Sequence, residues 1–179
     1  MTHIALLRGV NLGGRRSLAM ADLRAFAEAL GFTGVRTLLN SGNLVFEGDG
    51  RSSADLEQLL ETEAGQRLGI RTDFHVRSAK EWRDMIARNP FTAEAKRDPA
   101  RLIMFCLKKP PGTKAFSALQ ATITGPEQVL GHGRHAYIYY PDGQGRSKLT
   151  VAMIDKAIGA GTGRNWNTVT KLAALTASA

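Results

Sequence analysis

Two successive runs of short strands and amphipathic helices, βαββαβ and then βαββα with a C-terminal helix, predict an α+β protein of two ferredoxin-like subdomains. Three observations carry that expectation. Apolar residues recur at helical spacing between the strand-like runs; Gly, Pro and Asn clusters punctuate them; and 179 residues with 43% hydrophobic content are enough for two small cores. The second run is read as a degenerate copy of the first, since its fourth strand is not evident.

The elements follow in order. Ile4–Val10 is an apolar strand interrupted by Arg8, running into the basic, turn-rich loop Asn11-Leu-Gly-Gly-Arg-Arg16. Leu23, Phe26, Ala27 and Leu30 form the stripe of the first helix, which Gly31 stops. Val35–Asn40 and Asn43–Glu47 are strands joined at Ser41-Gly42, where glycine suits a primed turn. Ser52-Ser-Ala-Asp55 opens a helix carrying Leu56, Leu59, Leu60 and Ala64, and Arg71–Arg77 alternates as the fourth strand. Ser78-Ala-Lys-Glu81 is a capping box for a connecting helix with Trp82, Met85 and Ile86 inward, stopped at Asn89-Pro90. Arg101–Lys109 is a buried strand ended by Pro110-Pro-Gly112. Phe116, Leu119 and Ile123 mark a short helix, and Glu127–His132 with His135–Tyr140 forms a hairpin across Gly133-Arg134. A helix follows with Leu149, Met153, Ile154 and Ile158, and Arg164–Leu172 is expected to be a capped terminal helix. The expected boundaries are residues 1–77 for the first subdomain, 78–99 for the connecting helix and linker, and 100–179 for the second subdomain with its basic C-terminal segment.

Composition excludes several classes. The longest apolar runs, Ile4–Leu7 and Leu102–Leu107, are far below the roughly 20 residues of a membrane span, so no membrane association is expected. No basic n-region and sustained apolar stretch open the chain, and its one cysteine, Cys106, can form no intrachain disulfide. A cytoplasmic location is therefore expected. The net charge of +8 is uneven: residues 1–89 hold 12 basic and 11 acidic side chains, and residues 90–179 hold 12 and 5. Such a field concentrates anions without choosing among nucleic acid, phosphorylated metabolite or acidic protein.

The strings Leu6-Leu-Arg-Gly-Val-Asn-Leu-Gly-Gly14, Met20-Ala-Asp-Leu23, Asn40-Ser-Gly-Asn43, Gly145-Arg-Ser-Lys-Leu149 and Arg164-Asn-Trp-Asn-Thr168 with Lys171 span almost the whole chain. Together they resemble the bacterial family catalogued as domain of unknown function 1697. The resemblance implies two ferredoxin-like α+β units and no biochemical role, so function has to be read from the residues.

Four constellations offer binding chemistry. Asn11, Gly13, Gly14, Arg15 and Arg16 place backbone N–H groups and guanidinium groups in a loop between strand and helix, a setting that favours an anion; as a bare surface turn the same residues would serve only sterics. Arg8, within an apolar strand, calls for an acidic partner or an anionic ligand. Arg146, Ser147 and Lys148 do not fit the phosphate-loop template, and Ser147 is expected to cap the following helix with the two cations near its positive end. Arg164, Asn165, Trp166, Asn167 and Lys171 combine groups that stack bases or hold phosphates, while Asn167 equally suits a helix cap with Trp166 as its apolar staple. Asn40, Ser41 and Asn43 complete the binding set at the first hairpin.

Catalytic and cofactor signals are weaker. No dinucleotide fingerprint or nucleophile elbow occurs, and no cofactor is expected. His132 and His135 lack a third ligand, so no metal is expected, and mid-strand Cys106 reads as packing. Base stacking of the RNA-recognition kind would find only Phe46 on the first and third strands. The stretch from Arg8 through Leu30-Gly-Phe-Thr-Gly-Val-Arg-Thr-Leu-Leu-Asn40 to Gly48 is similar to acylphosphatases, which implies a phosphate-holding role for Arg15 or Arg16 and a water-orienting role for Asn40, although the loop spacing departs from that pattern. The reading is a protein that binds a nucleic acid or a phosphorylated small molecule between the Asn11–Arg16 loop and the basic C-terminal segments. A small metal-independent phosphoryl or acyl-phosphate hydrolase is the alternative.

Overall fold

The computed structural model describes residues 1–11 and 17–177. Its elements are β1 (Thr2–Leu7), α1 (Met20–Ala29), β2 (Thr33–Thr37), β3 (Asn43–Glu47), α2 (Ser53–Arg67), β4 (Phe74–Ser78), α3 (Ala79–Ala87), α4 (Thr92–Arg97), β5 (Leu102–Leu107), α5 (Ala115–Thr122), β6 (Gln128–His132), β7 (His135–Tyr139), α6 (Val151–Ile158), β8 (Gly161–Asn165) and α7 (Trp166–Ala177). The strands form two four-stranded antiparallel sheets, ordered β2-β3-β1-β4 and β6-β7-β5-β8. Both have the ferredoxin-like arrangement that the sequence predicts. The chain divides into two compact units, Met1–Asp84 with the residues from Lys171 onward, and Met85–Thr170.

In the first unit, Leu23, Phe26 and Ala27 of α1 and Leu56, Leu60 and Ala64 of α2 pack on Ala5, Leu7, Leu44, Phe46, Phe74 and Val76. The helical stripes meet one face of the sheet, as their spacing demands. Ser52 caps α2, its hydroxyl accepting the Asp55 N–H at 3.1 Å. Edge strand β4 begins at Phe74 rather than Arg71, and its outward N–H groups are taken by carboxylates. Glu61 accepts from Phe74 N–H and Glu57 from Val76 N–H, at 2.8 and 2.9 Å, one helical turn apart on α2. Glu81 accepts from Ser78 N–H at 2.8 Å while Ser78 Oγ accepts from Glu81 N–H at 3.1 Å, which is the capping box of α3. Glu57 also pairs with the Arg77 guanidinium at 3.4 Å, both side chains being buried.

In the second unit, Leu119 of α5 and Ile154 and Ile158 of α6 pack on Ile103, Phe105, Leu107, Val129, Ala136 and Ile138. All six residues of β5 are buried. The Gly133-Arg134 turn is present, with His132 opposite His135 and Gly133 at φ +57°. Three expectations need correction. The first hairpin has no two-residue turn: β2 ends at Thr37, and the connection runs through Leu39 at φ +57° before β3 starts at Asn43. The terminal helix does not begin at Arg164, because Gly161–Asn165 forms β8 and α7 starts at Trp166. Glycine conceals that strand. A Cβ on Gly161 would come within 2.4 Å of the Cys106 carbonyl, and one on Gly163 within 2.5 Å of Ile103 Cγ2, so close approach to β5 excludes the side chains that advertise a strand. Finally, α6 is capped by Thr150, whose hydroxyl accepts from Met153 N–H at 3.2 Å, and not by Ser147. A further short helix, α4, lies within the segment read as linker.

The register makes the repeat specific to individual residues. Leu7 lies opposite Phe74 as Leu107 lies opposite Gly161, and Ile4 opposite Arg77 as Met104 opposite Arg164. Arg77 and Arg164 are thus equivalent, both buried, and each donates Nη1 to the preceding carbonyl, at 2.7 and 2.9 Å. Each is followed by a capping residue, Ser78 or Asn165, and then by a helix.

Glu57→Ala removes the acceptor of an edge N–H and the partner of a guanidinium that is 2% exposed. The expected loss is about 3–5 kcal/mol, with Glu57→Gln intermediate because it retains an acceptor for Val76. Urea denaturation checks this as a lowered midpoint at unchanged slope.

Candidate functional site

At one end of the first sheet the last residue of β1 is tied to the hairpin: Leu7 N–H donates to the Gly42 carbonyl at 2.9 Å. Only glycine serves there. Gly42 has φ +76°, and a Cβ on it would lie 2.6 Å from Val10 Cγ2 and 2.8 Å from Leu7 Cβ. Asn43 is fully buried, and its amide donates to the Leu38 carbonyl at 2.7 Å and to Ser41 Oγ at 2.9 Å. Asn43 and Ser41 therefore hold the shape of the connection.

Asn11 ties Leu18 and Asn40 together. Its Oδ1 accepts the Leu18 N–H at 2.7 Å, and its Nδ2 donates to the Leu18 carbonyl at 2.9 Å and the Asn40 carbonyl at 2.7 Å. Both ends of the segment between residues 11 and 18 are fastened to one side chain, flanked by buried Val10 and Leu18. Asn11 itself has φ +56°, a conformation asparagine tolerates better than most residues. Leu39, at φ +57° and 52% exposed, is the second non-glycine residue in that region among those described. Strain of this kind costs about 1–3 kcal/mol per residue and collects at functional sites. Asn40 is exposed, and Gly13, Gly14, Arg15 and Arg16 lie outside the described residues.

Arg8 lies one residue beyond β1 and is half-buried, so the expected charge inside an apolar strand is not found. The strand ends first, and the Arg8 N–H donates to the Asp73 carbonyl at 3.0 Å. Arg8 and Gly9 line a cleft of about 450 Å³ with Glu61, Arg71, Thr72 and Asp73. Arg71, Thr72 and Asp73 escaped the sequence reading because 71–77 reads as a strand, and Gly69, at φ +64°, was the available signal for a loop; Glu61 escaped it as an ordinary polar position of α2.

In the second unit, the ends of β7 and β8 share one end of the sheet with the start of β5. Arg146 and Lys148 are exposed there, on the connection after β7. Ser147 anchors that connection, donating Oγ to Glu127 Oε1 and accepting from Leu149 N–H at 3.0 Å. Arg164 is buried, donates Nη1 to Thr162 Oγ1 at 2.9 Å, and burial pulls its pKa down to about 10. Asn165, not Asn167, caps α7, its Oδ1 accepting from Thr168 N–H and Oγ1 at 3.0 Å each. Trp166 is 8% exposed, which leaves its ring no face for a base. Asn167 and Lys171 are exposed on α7. Cys106 is buried, the His132 and His135 rings lie 5.8 Å apart, and no group of three or more His, Cys, Asp or Glu among the described residues could hold a metal ion. No described helix is long and apolar enough to cross a membrane.

A family model described as "Protein of unknown function (DUF1697)" matches residues 1–137. Among solved structures, the conserved bacterial protein SP0830 from Streptococcus pneumoniae is similar over 97% of each chain, with a TM-score of 0.73 and 23% identity, a likeness of fold. A comparison with curated proteins finds no match.

Asn11→Ala loses three hydrogen bonds and an asparagine suited to positive φ. A destabilisation of about 2 kcal/mol is expected. Thermal and urea unfolding measure it.

Proposed function

This chain belongs to the DUF1697 family, and we propose that it binds a phosphorylated small molecule at the end of its first sheet. The observation that carries the reading is the convergence of Arg8 and Arg71 on a cleft of about 450 Å³ at the end of β1. That volume is within the roughly 300–1,000 Å³ of small-ligand sites. Two guanidinium groups suit a phosphate, which they can grip through paired N–H donors. The Thr72 hydroxyl and the Glu61 and Asp73 carboxylates suit hydroxyl or amino groups on the rest of the ligand. Ala19 stands at the cap position of α1 and brings no side-chain acceptor to the first-turn N–H groups, which supports an anion near that end.

Calorimetric titration of the full chain with inorganic phosphate and with a nucleoside 5′-monophosphate tests the reading. Saturable binding is expected, with the nucleotide tighter, and Arg71→Ala or Arg8→Ala should weaken it by about tenfold or more. Equal affinity in wild type and both variants would overturn it.

One observation favours a hydrolytic reading of the same site. The hydrogen bond from Asn11 to the Asn40 carbonyl puts Asn40 beside Asn11, which precedes Arg15 and Arg16 in the sequence. The Asn40 amide would then position a water for attack on an acyl phosphate held by one of those arginines. Hydrolysis of benzoyl phosphate should exceed the buffer rate, and Asn40→Ala should lower kcat about 100-fold or more while sparing phosphate affinity. A wild-type rate equal to buffer retires the idea.

A further inference from the structure

The same end of the second sheet carries a different chemistry. Leu107 N–H donates to the Arg134 carbonyl at 2.8 Å, the counterpart of the bond from Leu7 to Gly42. By that register Lys108 and Lys109 occupy the places of Arg8 and Gly9, Arg134 that of Gly42, and Gly159 and Ala160 those of Thr72 and Asp73. Asp73, one of the two carboxylates lining the first unit's cleft, is replaced by Ala160, and cations are added. Lys109, Lys114 and His132 are exposed, while Lys108 and Arg134 are half-buried.

We infer that this end of the second unit, formed by the β5–α5 loop and the β6–β7 turn, binds the phosphate backbone of duplex nucleic acid without reading sequence. Charge density supports the class of partner. Lys108, Lys109, Lys114 and Arg134 sit on two adjoining connections, and the segments 108–114 and 131–135 contain no Asp or Glu. Rigidity supports it too, since Pro110-Pro111 restrains the loop and the two-residue turn fixes Arg134. The preference for duplex over single strand follows from the aromatic residues. Every Phe, Tyr and Trp in the described chain is buried except half-buried Phe116, whose ring lies against Gly131, so none presents a stacking face. A single strand would lose its main sequence-tolerant contact, whereas a duplex offers backbone phosphates without one.

Fluorescence anisotropy of a labelled duplex of scrambled sequence, titrated with the full-length chain between about 50 and 200 mM salt, tests the inference. Binding that weakens steeply with salt is expected. Lys109→Ala/Lys114→Ala should lower affinity about tenfold at the lower salt and flatten the log–log salt slope by roughly 2. Lys96→Ala/Lys156→Ala, an equal loss of charge elsewhere in the same unit, should change affinity by less than about threefold. Absence of binding at the lower salt, an equal effect of the two double variants, or tighter binding of the single strand would each overturn it. Arg71→Ala should leave duplex binding intact, and Lys109→Ala/Lys114→Ala should leave the phosphate titration intact, so failure of one proposal is separable from failure of the other.

Discussion

An edge strand has to dispose of its outward N–H groups, and in the first unit that requirement organises the surrounding structure. The three outward donors of β4 are met by Glu61, Glu57 and Glu81. Two of these acids lie on α2 one turn apart, so satisfying the strand fixes both the rotation and the height of the helix against the sheet. The third belongs to the capping box of α3, which couples the end of the strand to the start of the next helix. Arg77, drawn in beside Glu57, gains a carboxylate that offsets the cost of burying its guanidinium. The same carboxylates blunt an edge that would otherwise invite another strand.

The two units are one topological plan carrying two sets of polar groups. Both have an arginine on the fourth strand at matching register, and both follow it with a capped helix. The solutions then diverge. Arg77 is balanced by Glu57, whereas Arg164 is held by Thr162 and a carbonyl, and burial lowers its pKa. At the far ends of the sheets the divergence continues, from mixed charge around a cleft to an array of cations.

Much of this plan was legible in the sequence because it rests on periodicity and local hydrogen bonding. The stripes of α1 and α2, the capping box at Ser78 and the Gly133-Arg134 turn all depend on residues within a few positions of each other, whereas of the stripe expected for α6 only Ile154 and Ile158 are buried on the helix, Met153 being exposed. What was not legible depends on partners far along the chain. Asn11 looks like a loop residue until Asn40 and Leu18 are placed beside it, and Asn43 looks like a ligand group until Leu38 turns back on it. Strand β8 was hidden for the opposite reason, since its glycines are required by contact with β5 and carry no strand propensity. Of the residues that resemblance marked out, Gly42 and Asn43 shape the backbone, whereas Arg8 faces a cleft.

The fastening of Leu18 to Asn11 also bears on how such a protein can change. Because the Asn11 side chain holds the Leu18 backbone by two hydrogen bonds, these two positions stay together whatever sequence separates them, and in general the cost of closing a segment rises only logarithmically with its length, about 0.6 kcal/mol for each doubling. The clamp thus separates the inheritance of the scaffold from variation in what the loop touches, and selection can lengthen, shorten or recharge that loop at little expense in folding.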